Sequence, residues 1–350
     1  MRTAFALSVA LVTACSATAQ VSIGGAQSLY VQPSARAAGM GHCTVAVLDD
    51  ADACSWNPGG LPFIEGNLNI AAAYSQLVPD WEDVYHWHGS AAARLGNLVV
   101  GTSVAYLSYG EQYVTQPDEP NIVGSFESYE FVPSVAIGLA VGENIGVGAN
   151  VKYVKVKLAP PEYTVEGVEG EGTAFGVDLG AEFRMRVGEG PYGILVRTGG
   201  VLQNVGSRIS YVDEEQSDPL PRNVKFGASG QLSYGAAGRA LACAQYEAPL
   251  LEGSRVFDGV LGAGLELELS LLGLYSALEN AESPEVRDLI AVRVGYVSDD
   301  AGEIHGLSYG FGVGGRLGTR LQARIDYAKV PQAEGLEEPW RIGGSGWVVF

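Results

Sequence analysis

The chain has 350 residues and carries 40 Asp and Glu against 21 Lys and Arg, a formal net charge of −19, although charged residues make up only 17% of it. A chain this acidic is a poor nucleic-acid binder, because phosphate contacts need basic clusters. Glycine at 48 and tyrosine at 17 exceed the usage of an ordinary globular domain and suit tight turns, crowded interior positions and interfacial belts.

At the start, Arg2, the apolar stretch from Ala4 to Val12 and Ala17-Thr18-Ala19 before Gln20 supply the charge, core and small-residue site of a secretory signal peptide, so residues 1–19 are expected to be removed. A second reading takes Val12-Thr13-Ala14-Cys15 as a lipid-attachment site at Cys15; a barrel needs no lipid anchor, and the first reading is preferred. No other stretch reaches the ~18 apolar residues of a helical membrane span.

Residues 20–65 form a separate segment with a different period. It holds Ser34-Ala35-Arg36-Ala37-Ala38-Gly39-Met40-Gly41, then Val45 to Ala53 with Asp49 and Asp50, then Trp56-Asn57-Pro58-Gly59-Gly60-Leu61. Asp49 or Asp50 is expected to cap a short helix over Ala51 to Trp56, and Asn57-Pro58-Gly59-Gly60 to stop it. With the signal gone, Cys43, Cys54 and Cys243 remain, an odd number in a compartment that permits disulfides. Cys43 with Cys54 is one pairing open to them; small buried thiols are the other reading, and the spacing does not suit zinc.

From residue 66 onward apolar residues fall on every second position. Leu307 to Val313, Leu321 to Tyr327, Phe175 to Met185, Ile145 to Tyr153 and Leu261 to Leu269 all alternate, with charges on the minor phase. Fourteen strands are expected, near 66–75, 85–95, 97–107, 128–141, 145–157, 173–187, 192–204, 223–234, 239–248, 258–270, 289–298, 306–316, 319–330 and 340–350. Their length matches the ~9–11 residues a tilted strand needs to cross a bilayer, so residues 66–350 read as an all-β, closed, antiparallel transmembrane barrel. Leu271 to Arg287 stays open between a strand extension and a short helix, since a fifteenth strand would invert the turn pattern.

Tight connections at 95–97, 142–144, 188–191, 235–238 and 317–319 alternate with longer ones at 76–84, 108–127, 158–172, 205–222, 249–257, 299–305 and 331–339, which places the short turns in the periplasm. The long loops then hold most of the acid, including Asp80, Glu111, Asp118, Glu166, Asp213, Glu214, Glu215, Asp299 and Glu334. Facing the lumen on the minor phase are Asp178, Glu182, Arg184, Arg186, Glu266, Glu268, Arg293, Arg324 and Asp326, where opposite signs on neighbouring strands can pair. Side chains nearly fill a barrel of about eight strands and sixteen leave a channel, so fourteen need a plug, and residues 20–65 are the candidate.

Catalytic or metal chemistry finds no support. Only His42, His86, His88 and His305 are present; His86 and His88 share one face of a strand around Trp87 and read as an aromatic and histidine cluster at the outer rim. Gly310, Gly312 and Gly315 spell G-x-G-x-x-G but lie in an alternating strand with no helix after them. The chain is therefore read as no enzyme, with no catalytic, cofactor or metal residues.

The stretch from Ser34 to Leu61, with Arg36, Gly39, Met40, Gly41, Asp49, Asp50, Trp56, Asn57 and Pro58, resembles the N-terminal motif of the PorV/PorQ family of bacterial outer-membrane proteins. It departs from that motif at His42-Cys43, where the family usually has Gly or Ala, and at Gly59, where it usually has Ala. The aromatic end at Phe350 looks like the residue read by barrel-insertion machinery. The family is in turn similar to the FadL-like transporters, fourteen-stranded barrels with an N-terminal plug. The resemblance implies an outer-membrane location, outer-membrane lipid as a partner, and one of three roles. A carrier for secreted proteins or an adaptor of type IX secretion machinery would use loop residues such as Tyr113, Ile122, Val123 and Phe126. A FadL-like channel would take a hydrophobic ligand and a lateral opening, for which Pro133 is a candidate. A closed structural barrel would have no pocket.

Overall fold

Alternation on this scale leaves each strand with one face that must meet hydrocarbon, and closure removes every unpaired edge. The computed structural model describes residues 24–350 apart from 117–118, 165–166, 189–191, 212–216, 252–258, 280–281 and 283. The proposed signal peptide, and Asp118, Glu166 and Asp213 to Glu215 among the loop acids, lie outside the described residues.

The strands are β1 (Leu68–Gln76), β2 (Tyr85–Leu95), β3 (Leu98–Gln116), β4 (Glu119–Val141), β5 (Ile145–Ala159), β6 (Gly170–Val187) and β7 (Tyr192–Gly206), then the two-residue pieces β8 (Arg208–Ile209) and β9 (Asp218–Pro219). They continue with β10 (Asn223–Tyr234), β11 (Gly238–Pro249), β12 (Val260–Leu269), β13 (Val286–Asp299), β14 (Ile304–Leu317), β15 (Leu321–Lys329) and β16 (Trp340–Val348). β8 and β9 pair only with each other; the other fourteen form one closed antiparallel barrel, with β1 against β16 from Leu68↔Val348 to Gln76↔Trp340. All fourteen expected strands are present.

β13 shows the two faces plainly. Ile290, Val292, Val294 and Tyr296 stand on the exposed outer face, while Leu289, Ala291, Arg293 and Val297 are buried inside. Near the long-loop rim, Tyr129, Tyr106, Tyr85, Tyr74, Trp340, Tyr327 and Phe311 follow one another across seven strands with ring centroids 5.3–6.5 Å apart. That is an interfacial girdle, where amphipathic rings sit at the headgroup level.

One connection differs from expectation, and one left open is decided. The 108–127 stretch, expected as a loop, is mostly β-ribbon: β3 and β4 stay paired from Leu98↔Leu139 to Gln116↔Glu119, with register shifts beyond Ser108. Its Glu111 and Glu127, opposite each other, broke the apolar alternation, but a ribbon above the bilayer needs only backbone pairing and tolerates charge on either face. The open Leu271–Arg287 segment contains a helix, Leu271–Leu278, on the short-turn rim. Ser270 accepts from the Gly273 N–H, and the Asp288 carboxylate accepts from the Leu271 and Leu272 N–H groups at 2.9 Å, so the helix start is satisfied from β13.

Pro133 does not open the wall. Phe131↔Lys155 and Ser134↔Lys152 keep one register across it, so the proline drops a ladder bond without moving either strand.

Candidate functional site

The segment from Gly24 to Phe63 lies inside the barrel, and its short elements are set by local chemistry. Ser34 accepts the Ala37 N–H and starts the one-turn helix Ala35–Ala38. Asn57 accepts the Gly59 N–H and starts the 3₁₀ turn Pro58–Phe63, while its amide donates to the Val45 carbonyl at 2.7 Å. The expected helix over Ala51 to Trp56 is shorter, Ala53–Trp56, with Asp52 at its start and no side-chain cap. Asp50 accepts the Asp52 N–H one turn early, and Asp49 turns away to bind arginine.

Arg36 is the centre of the contact with the wall. Its Nε and one terminal nitrogen donate to the two carboxylate oxygens of Glu266 at 2.8 and 2.7 Å, and the other terminal nitrogen donates to Asp49 at 2.8 Å. Glu266 also accepts from Arg293 Nε at 2.7 Å; Arg293 reaches Asp326 at 2.8 Å, Asp326 meets Arg324 at 2.9 Å, and Arg324 reaches Asp50 at 3.5 Å. Arg239 links Asp49, at 3.6 Å, to Glu268, at 2.9 Å. Thus Arg36, Asp49 and Asp50 of the plug motif and Glu266, Glu268, Arg293, Arg324 and Asp326 of the lumen wall form one buried chain of alternating charge. Paired and bidentate charges of this kind are needed to offset the cost of removing them from water.

Four other wall charges do not join it. Asp178 binds Lys152 at 2.8 Å and accepts the Asn204 backbone N–H at a bulge between β6 and β7. Glu182 and Arg184 pair with each other at 2.5 Å, with Arg184 over the Phe63 ring. Arg186 is exposed at the end of β6.

The remaining motif residues pack. Gly39 lies against Gly310 of β14, which is the use of one glycine in the G-x-G-x-x-G run. Gly41 has φ +68 and would place a Cβ 2.4 Å from the Ala263 carbonyl oxygen. Gly59, where the related motif has Ala, would place a Cβ 2.5 Å from the Ala181 Cα. Met40 is fully buried, and Trp56 lies under the Lys225 ammonium at 4.5 Å.

Two corrections concern residues read differently from sequence. His86 and His88 are not at the outer rim: both are buried facing the plug, His88 3.3 Å from Asp52, while only Trp87 faces outward. Cys43 does not meet Cys54. Cys54 packs against β2 and β3, whereas Cys43 shares a cluster with Met40, Val47, Leu241 and Cys243. Sequence reasoning also missed Arg239, Lys152 and Glu130, which accepts the Gln27 and Ser28 N–H groups at 2.8 Å and anchors the start of the plug. All three lie on the wet phase of their strands, a signal that marks the side but not the partner.

Within the plug the acids differ. Burial, then the neighbouring Asp52, pushes Asp50 up to about 7. Burial acts the same way on Asp49 and Asp52, but Arg36 and Arg239 outweigh it at the first, and His88 and Ser90 at the second, so both are held below the usual carboxylate range.

The plug divides the lumen. On the short-turn side a cavity of about 190 Å³ is lined by Asp49, Asp50, Glu65, Arg239, Arg287 and Arg324. On the long-loop side a cavity of about 580 Å³ is lined by Tyr30, Gln32, His42, Trp56, Lys225 and Asp299, among others, and it shares no lining residue with the first. Burial first, then Arg341 and Lys225, lowers His42 to about 3, so it is neutral there. The Gln32 amide and the Trp56 indole N–H, both buried, have no hydrogen-bond partner among the described residues.

A closed fourteen-stranded barrel with an N-terminal plug and an aromatic girdle has the FadL-like barrel fold. The solved Ralstonia pickettii toluene transporter TbuX superposes with a TM-score of 0.51 at 12% identity, over 90% of this chain and 97% of that one. A TodX deltaS2S3 mutant monoaromatic hydrocarbon channel gives 0.50 at 11%, over 89% and 97%. At these identities the likeness is one of fold. The profile of "Type IX secretion system protein PorV" matches residues 16–242, and the chain belongs to that family. No curated protein matches the sequence.

Proposed function

We propose that this chain is a non-enzymatic outer-membrane barrel that receives secreted proteins at its outer face and does not conduct them through its lumen. The observation that carries this reading is the plugged interior: the charged plug lies between two cavities that share no lining residue, and the larger of the two belongs to the outer rim. The β3–β4 ribbon rises from the wall opposite β12–β13 and exposes Tyr113, Ile122 and Val123. Tyr163 braces it by stacking on Phe126 at 5.6 Å. Exposed apolar residues on a held ribbon suit strand-to-strand capture of an extended partner. Family membership supports a role in type IX secretion, with residues 1–19 as the export signal.

The second reading, a channel for hydrophobic small molecules, draws on the outer cavity of about 580 Å³, a volume in the range of small-molecule sites. One experiment separates them. The intact barrel, purified from outer membranes, is analysed for co-purifying proteins and for extractable lipid-like ligands, beside a Tyr113→Ser/Ile122→Ser variant. Secreted proteins sharing one sorting domain, lost in the variant, are the expected result. A bound hydrophobic ligand with no protein would favour the channel, and neither would favour a structural barrel.

A further inference from the structure

The plug is held to the wall by charge, which is reversible, but one contact has the chemistry to make it permanent. Residues 40–45 run along β11 and β12. The Cys243 thiol faces the Met40 carbonyl at 3.9 Å and the Gly264 carbonyl at 3.5 Å. Two residues along the same face of β11, Gln245 accepts from the Thr44 and Val45 N–H groups at 2.8 and 2.9 Å. Cys43 is clamped between these two attachments, its sulfur 4.0 Å from where a Cβ on Gly262 would be, and it shares one buried cluster with Cys243, both as free thiols in this structure. Cys243 is the wall cysteine on this register, and Cys54 is in a different cluster.

We infer that Cys43 and Cys243 form a disulfide that stitches the plug to strand β11 in an oxidising compartment. Each thiol loses one proton and the pair gives up two electrons to a disulfide-bearing oxidant by exchange. One thiolate attacks the oxidant's disulfide to give a mixed disulfide; the second attacks that, forming the Cys43–Cys243 bond and releasing the oxidant as a dithiol. Both thiols are buried in the finished barrel, so the exchange takes place as the plug docks, and reductants then have no access. A stitched plug cannot leave the lumen, which confines any binding to the outer mouth whichever cargo is carried.

The test uses wild-type protein taken from outer membranes, denatured and alkylated without reductant, then cleaved at the aspartates between residues 49 and 52 so that Cys43 and Cys54 fall on separate peptides. The expected result is one linked peptide pair containing Cys43 and Cys243, about 2 Da lighter than the sum of the reduced peptides, with Cys54 alkylated. The link should survive Cys54→Ser and disappear in Cys243→Ser. Alkylation of all three thiols in the wild type, or a Cys43–Cys54 peptide, overturns the inference. The measurement is independent of any secreted partner, so its failure leaves the receiving role untouched.

Discussion

The short-turn half of the lumen and the long-loop half are built on opposite principles. In the first, every charge of the Arg36–Glu266–Arg293–Asp326 chain has an opposite neighbour within 2.8 Å, and the adjoining cavity is small. In the second, a larger cavity carries an indole N–H and an amide with no hydrogen-bond partner among the described residues, and the β3–β4 ribbon on the same rim exposes apolar side chains. The difference separates holding from receiving: the first half commits its charges to ion pairs between plug and wall, although Arg239 Nε and the Arg293 terminal nitrogens lack hydrogen-bond partners among the described residues, whereas the second sets unpartnered neutral polar atoms beside exposed apolar ones that gain by binding.

The comparison is broken most severely by Glu266→Ala, which leaves Arg36 and Arg293 buried without their shared carboxylate and should cost about 3–5 kcal/mol in denaturant unfolding of the detergent-solubilised barrel. A loss below 1 kcal/mol would show that the charge chain does not hold the plug. Gly59→Ala should cost about 1–3 kcal/mol, because its Cβ would overlap the β6 backbone; an unchanged midpoint would mean that the plug floor yields to admit the methyl. A smaller effect is expected at Asp50. Its raised value favours the protonated acid in the folded plug, so the stability it adds is complete below the unfolded carboxylate range and is lost as pH rises toward 7. Asp50→Asn should therefore lose less stability than the wild type between pH 5 and pH 8, read as the change in Tm; equal changes would exclude Asp50 as the titrating group. Ile122→Ser, on the receiving side, should move stability by no more than about 0.5 kcal/mol while weakening partner capture.

The barrel was legible strand by strand because lipid imposes its demand locally: each residue's neighbour across the membrane face is hydrocarbon, whatever the rest of the chain does. The plug motif and the wall charges were legible too, but as two separate sets. Nothing in the spacing of Arg36 and Glu266 says that they meet, since strand stagger brings them together from 230 positions apart. The β3–β4 ribbon was hidden for the opposite reason. Above the bilayer no apolar rule operates, and paired strands there look like any polar loop.

Sequence alone therefore determined the class of structure, the number of spanning strands, the wet and greasy face of each, and the segment that fills the interior. Tertiary structure decided the order of the ion pairs, the burial of His86 and His88, the cluster in which Cys43 packs and the height of the ribbon. The physical division lies between solvents: contact with lipid is written in a period of two residues, while contact between plug and wall depends on closure of the sheet, a property of the whole chain that no window of sequence contains.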